Sequence, residues 1–199
     1  MSTVQELKSK AQAAIEGRRE WLIGIAKSVL DTPETGFQEI KTSAFVSEKL
    51  DELGIAHETG IALTGIKGYV RGGRPGPTVA VIGELDSVRV PGHPHADPET
   101  DAAHACGHHA QLAMMLGAAV ALKTPEVSQS LAGNVALIAV PAEEFIDVEH
   151  RWELRQAGKL GLMAGKQEFI RLGAFDDIDM AVMIHTAGAG EEGKFAVGG

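Results

Sequence analysis

The sequence predicts an α/β fold in three layers, with helices on both faces of a mostly parallel central sheet. Continuous apolar runs rich in β-branched residues recur at 78–82 and 135–140, with a further apolar run at 180–184. That is how strands covered on both faces read. Stretches with helical spacing stand between them, at about 109–122 and 160–172, and strands alternating with helices imply parallel pairing. The composition, 44% hydrophobic and 23% charged over 199 residues, is that of a globular domain, long enough to bury a core without staples.

Taken in order, residues 4–30 place Leu7, Ala11, Ala14, Ile15, Leu22, Ile25 and Leu30 at helical spacing, a run that Asp31-Thr32-Pro33 ends because the residue before a proline resists the helix. A second helix is expected over 39–53, with Phe45, Val46, Leu50 and Leu53 on one face and a stop at Gly54. Residues 65–70 read as a strand, 74–77 as a turn, and 191–199 as the start of another strand-like piece. No repeat, linker or compositional break divides the chain.

Composition excludes several functions. The net charge of −9, with no basic cluster, argues against nucleic acid and against an anionic membrane surface. The longest apolar run, 112–122, is too short to span a bilayer, and the polar N-terminus carries no signal-peptide block. Cys106 is the only cysteine, so no internal disulfide can form, and a cytoplasmic, reducing location is expected.

Three apolar strands end in polar groups: Asp86, the pair Glu143-Glu144, and His185. In open parallel sheets ligands bind just beyond the carboxyl ends of strands. Acids also follow strands because loops are polar, and for Asp86 alone that reading stays open. Residues 93–109 hold five of the eight histidines and the cysteine. Thiolate and imidazole are the usual ligands of zinc and similar ions. Cys106 and His108, two apart, would not share a helix face, so they should lie on an extended turn or straddle a helix start, with Gly107 permitting an unusual backbone. The amides of the following helix should favour the Cys106 thiolate. The plainer alternative is a buried structural cysteine beside surface histidines. His93, His95 and His150 read as solvated rather than ligating, and His57 has no evident partner. In extended backbone Glu143 and Glu144 point opposite ways, so one could bind metal while the other serves as general base; acids at a helix start after Pro141 are an equal alternative.

With those residues in place, the sequence resembles the amidohydrolase branch of the zinc-dependent aminoacylase/carboxypeptidase metallopeptidases. That branch includes N-acyl-amino-acid amidohydrolases, hippurate hydrolases and aminobenzoyl-glutamate hydrolases. The segments that carry the likeness are Pro33-Glu-Thr-Gly-Phe-Gln-Glu39, Gly83-Glu-Leu-Asp86, His104-Ala-Cys106-Gly-His108, Pro141-Ala-Glu143-Glu144 and Met183-Ile-His185. The resemblance implies a zinc-exopeptidase-like catalytic domain, one or two zinc ions (manganese or cobalt as substitutes), and a small N-acyl amino acid or peptide as substrate. It implies Cys106, His108, Glu144 and His185 as metal ligands and Glu143 as general base and then proton donor to the leaving amine. Asp86 would orient a ligand or hold the site together. The family pattern usually continues Cys-Gly-His-Asp-Gly-His, where this chain has His109-Ala110-Gln111; a carboxylate and a histidine beside the metal are replaced, which bears on metal tuning and substrate preference. Family enzymes are also longer. By the resemblance, residues 1–199 form the N-terminal portion of the catalytic domain, incomplete, without the lid and dimerisation domain, the C-terminal catalytic portion or a last histidine ligand. The rival expectation is a non-catalytic module that binds metal or a partner. Unpaired strand edges and homo-oligomeric association are expected with either.

Overall fold

The computed structural model describes residues 2–187; the strand-like piece expected at 191–199 lies outside them. The elements run α1 (Val4–Glu16), α2 (Arg19–Leu30), α3 (Ile40–Glu52), β1 (His57–Ile61), β2 (Gly65–Arg71), β3 (Arg74–Glu84), β4 (Val88–Arg89), β5 (Ala102–Ala103), α4 (His108–Lys123), α5 (Pro125–Ser130), β6 (Ala132–Val140), α6 (Val148–Gln156), α7 (Gly165–Arg171) and β7 (Met180–Met183).

Five strands form the main sheet in the order β1-β2-β6-β3-β7. β3 pairs in parallel with β6 and with β7, whereas β2 is antiparallel to both β1 and β6. β2 is therefore the one reversed strand, and the other four share a direction. Side chains alternate across the pleat, and the core divides accordingly. Val135, Leu137 and Ala139 of β6, with Val81 of β3, meet Ile25 and Val29 of α2, Val46 and Leu50 of α3, and Leu112, Met115 and Leu116 of α4. Ala136, Ile138 and Val140, with Ala80 and Ile82, meet Leu154 of α6 and Phe169 of α7. That division produces the three layers.

Several local expectations need correction. The helical run 4–30 is two helices, because Gly17 caps α1 and Arg18 leaves helical geometry (φ −114°, ψ 13°), glycine being a weak helix former. α1 buries no residue; a capping box between Thr3 and Glu6 secures its start. Residues 74–77 are not a free turn but the irregular first part of β3, where Arg74 pairs with Ala132 before regular register resumes at Thr78. The last helix is shorter than 160–172, since residues 161–164 form bends in which the Gly161 and Leu162 N–H groups donate to the Glu168 carboxylate. β7 is not covered on both faces: Met180 is 61% and Val182 51% exposed, at the edge of the sheet formed by the described residues.

The registers Glu84↔Val140 and Ile82↔Met183 bring the carboxyl ends of β3, β6 and β7 level. Everything the chain carries just beyond those three strands is thereby gathered at one edge.

Candidate metal centre

α4 begins at that edge. Its N-cap Gly107 has φ 97°, a left-handed backbone that costs glycine little, and the neighbouring Cys106 carbonyl accepts the Thr186 hydroxyl at 3.0 Å. The turn sends Cys106 and His108 to the same side. Cys106 Sγ lies 3.4 Å from His185 Nε2, although 79 positions separate the two residues. The ligand atoms of Cys106, His108 and His185 all fall within 4.8 Å of one another.

His108 is wholly buried. Its Nδ1 lies 2.8 Å from the backbone carbonyl of Asp86. A carbonyl can only accept, so Nδ1 carries the hydrogen and Nε2 is the atom turned to the site. Nε2 has no hydrogen-bond partner among the described residues; Glu144 Oε1 lies 4.0 Å away and Glu84 Oε2 3.1 Å. Asp86 is buried behind this ring. Its Oδ2 accepts the Glu144 backbone N–H at 2.9 Å and its Oδ1 stands 3.5 Å from His108 Nδ1, so Asp86 holds the site residues rather than facing open space.

The acid pair diverges after Ala142, a non-glycine residue at φ 49°. Glu144 turns towards His108. Glu143 turns towards Lys166 of α7, whose Nζ lies 3.7 Å from Glu143 Oε1 and bonds Glu84 Oε1. Arg151 of α6, fully buried, fixes this loop by donating to the carbonyls of Glu144 and, at 2.9 Å, Met163. Glu39 Oε1 accepts the Ala142 N–H at 2.8 Å from the other side.

The charges agree with a site short of cations. Burial opposes a charged His108 ring, but the carboxylates of Asp86 and Glu84 outweigh it and raise its pKa to about 11. Burial likewise opposes ionised Glu84, but His108 and Lys166 hold it at about 2; the two shifts are two sides of one interaction. Burial and then the Glu84 charge raise Glu143. Burial and then Glu144 raise the Cys106 thiol, so without a bound cation the helix start does not favour the thiolate as the sequence suggested. A borderline divalent ion fits this donor set. It would take the partnerless Nε2 of buried His108 and draw together a thiol, a second imidazole and a carboxylate.

The other histidines separate. His95 is exposed and His93 and His150 are partly buried; none joins the cluster. His57 does have partners, Ser47 Oγ at 2.7 Å and the Ile55 carbonyl at 2.8 Å. His104 is buried, and burial followed by the neighbouring His109 and His108 charges lowers its pKa to about 3. Sequence reasoning passed over Glu84, Lys166 and Arg151. An acid closing an apolar strand was a usable signal for Glu84; nothing local marked the other two.

Comparison with known proteins follows the same lines. Residues 80–198 match peptidase family M20/M25/M40. The chain is 37% identical over 128 residues to IAA-amino acid hydrolase ILR1-like 5 of Arabidopsis thaliana, covering 63% of this chain and 29% of that protein. It is 31% identical over 201 residues to thermostable carboxypeptidase 2 of Saccharolobus solfataricus, covering 98% of this chain and 46% of that one. The chain thus spans less than half the length of these curated relatives. Its fold resembles the Bacillus subtilis YxeP protein, described as a dinuclear metal-binding peptidase, with a TM-score of 0.66 at 24% identity over 83% of this chain and 42% of that one.

Proposed function

Because the chain belongs to peptidase family M20/M25/M40, we propose that it is the N-terminal portion of a metal-dependent amidohydrolase. The substrate class is an N-acyl or N-aroyl amino acid or a small peptide, hydrolysed in the cytoplasm. The convergence of Cys106, His108 and His185 within 4.8 Å, beside a partly exposed Glu143, carries this reading. The names of two relatives, an IAA-amino acid hydrolase and a carboxypeptidase, support an amide-bond substrate that bears an amino acid.

Cys106, His108, Glu144 and His185 would hold the ion, with zinc the best match to a thiolate–imidazole–carboxylate set. When bound, the ion supplies Lewis-acid polarisation of the amide carbonyl and acidifies water. The rest falls to the chain. Glu143 takes a proton from the attacking water and returns it to the leaving amine; its raised pKa brings it closer to a neutral working pH. The Asp86 carbonyl fixes the His108 tautomer, and the Asp86 carboxylate with Arg151 fixes the backbone that presents Glu144.

The test is metal analysis and hydrolysis of an N-acetyl, N-benzoyl and indole-acetyl amino acid panel. Glu143→Gln should keep metal and lose at least about a hundredfold in turnover. Cys106→Ser should lose stoichiometric metal. Full activity in the first variant, or full metal content in the second, would refute the assigned role. A metal-loaded wild-type chain inert on the whole panel would favour the second reading, a module that works only against a partner. The exposed apolar side chains of Met180 and Val182 on β7 favour that one.

A further inference from the structure

We propose that Glu84 is a further ligand of the ion held by His108, and that Lys166 is the positioning residue that aims it. The inference rests on the metal-centre reading above and adds to it a donor outside the expected set.

Glu84 is the last residue of β3 and is 1% exposed. It follows Ala80 and Ile82 on the face that α6 and α7 cover, a place where an unpartnered carboxylate is costly. Its backbone N–H donates to Gln111 Oε1 at 2.8 Å, and Oε1 of its side chain accepts from Lys166 Nζ. The residue is therefore held at its backbone and at one carboxylate oxygen. Its other oxygen, Oε2, has no hydrogen-bond partner among the described residues, and neither has His108 Nε2, which it faces at 3.1 Å.

Two buried polar atoms at that separation would ordinarily bond each other. With the ring protonated they stand as a close ion pair, but without the alignment a hydrogen bond needs, and an ion would take the place of that proton. A shared ion needs a different alignment. Ligands about 2.0–2.2 Å from one ion stand roughly 3.3–3.6 Å apart in a tetrahedral shell and nearer 3 Å when a fifth ligand joins it, and neither points straight at the other. Glu84, His108 and Glu143 each present a ligand atom within the same 4.8 Å. Neutralising Lys166 does not account for the arrangement. That side chain is 34% exposed and has water within reach, whereas Oε2 is turned away from it towards His108.

The experiment titrates Zn²⁺ calorimetrically, and Co²⁺ by visible absorption, into the full 199-residue chain, into Glu84→Gln and into Glu84→Gln/Lys166→Met. The double variant removes both halves of the ion pair and leaves no unpaired buried charge, so it reports even if the single variant folds poorly. Loss of an inner ligand should weaken Zn²⁺ at least tenfold, the lower end of what supporting residues cost. It should also move the Co²⁺ ligand-field bands while the thiolate charge-transfer band from Cys106 stays. Lys166→Met alone should weaken Zn²⁺ and leave the Co²⁺ bands in place. Wild-type affinity and spectrum in the double variant would overturn the proposal while leaving the metal centre standing. A wild-type chain with no thiolate band, matched by Cys106→Ser, would overturn the metal centre and Glu84 together.

Discussion

Glu39 reaches into the site from the start of α3 and offers a test of how the buried polar layer is held. It is 0% exposed; Oε1 accepts the Ala142 N–H at 2.8 Å and Oε2 the Thr64 hydroxyl at 2.7 Å. Burial outweighs those bonds, and with a smaller push from Asp86 it raises the carboxyl from 4.5 to about 7. The folded chain then binds this proton more tightly than the unfolded chain. The sign follows: the stability Glu39 contributes is fully present below about pH 4.5 and is lost as pH rises through about 7. That change corresponds to about 3 kcal/mol, or about 6–12 °C in Tm for a chain of this length. Glu39→Gln removes the titration and keeps the shape, because the Thr64 hydroxyl can rotate to accept from the amide. Thermal unfolding of both proteins at about pH 4 and pH 8 isolates the effect, since groups common to both cancel in the difference. The stability of Glu39→Gln relative to wild type should rise by about 3 kcal/mol between the two pH values. Parallel pH profiles would refute the reasoning.

Two substitutions probe the frame around the candidate metal centre. Arg151→Met leaves the partly buried carbonyls of Glu144 and Met163 without donors, which should cost roughly 2–3 kcal/mol in urea unfolding; a loss below about 1 kcal/mol would show that water or a shifted loop replaces the guanidinium. Gly107→Ala puts a side chain on a backbone at φ 97°, with its Cβ only 3.1 Å from Thr186 Cβ. We expect a loss of about 1–3 kcal/mol in stability and at least a tenfold loss in Zn²⁺ affinity by calorimetry; wild-type affinity would mean that the turn relaxes without moving Cys106.

Parts of this arrangement were legible in the sequence because they are local. The β-branched runs at β3 and β6, the stop at Pro33 and the stop at Gly54 each follow from a few neighbouring residues. The two-residue spacing of Cys106 and His108 around a glycine left an extended turn or a helix start, and the fold takes the helix start. Where the signal was equally local but ambiguous, the reading erred. Helical spacing over 4–30 is continuous in the side chains and gives little weight to Gly17, and the Arg74-Pro-Gly-Pro77 segment has turn chemistry yet lies against Ala132 as irregular strand.

The sequence by itself determined the α/β class, the polar groups that close each apolar strand and the order of the candidate site residues along the chain. Periodicity, proline and glycine act within a turn or two, so those features need no distant partner. Tertiary structure decided what meets what. The level ends of β3, β6 and β7 bring Cys106 to His185 across 79 positions and Glu84 to Lys166 across 82. The reversal of β2, the burial of Arg151 and the tautomer of His108 depend on such long-range packing, because a side chain's charge and hydrogen-bond partners are set by what the fold places against it.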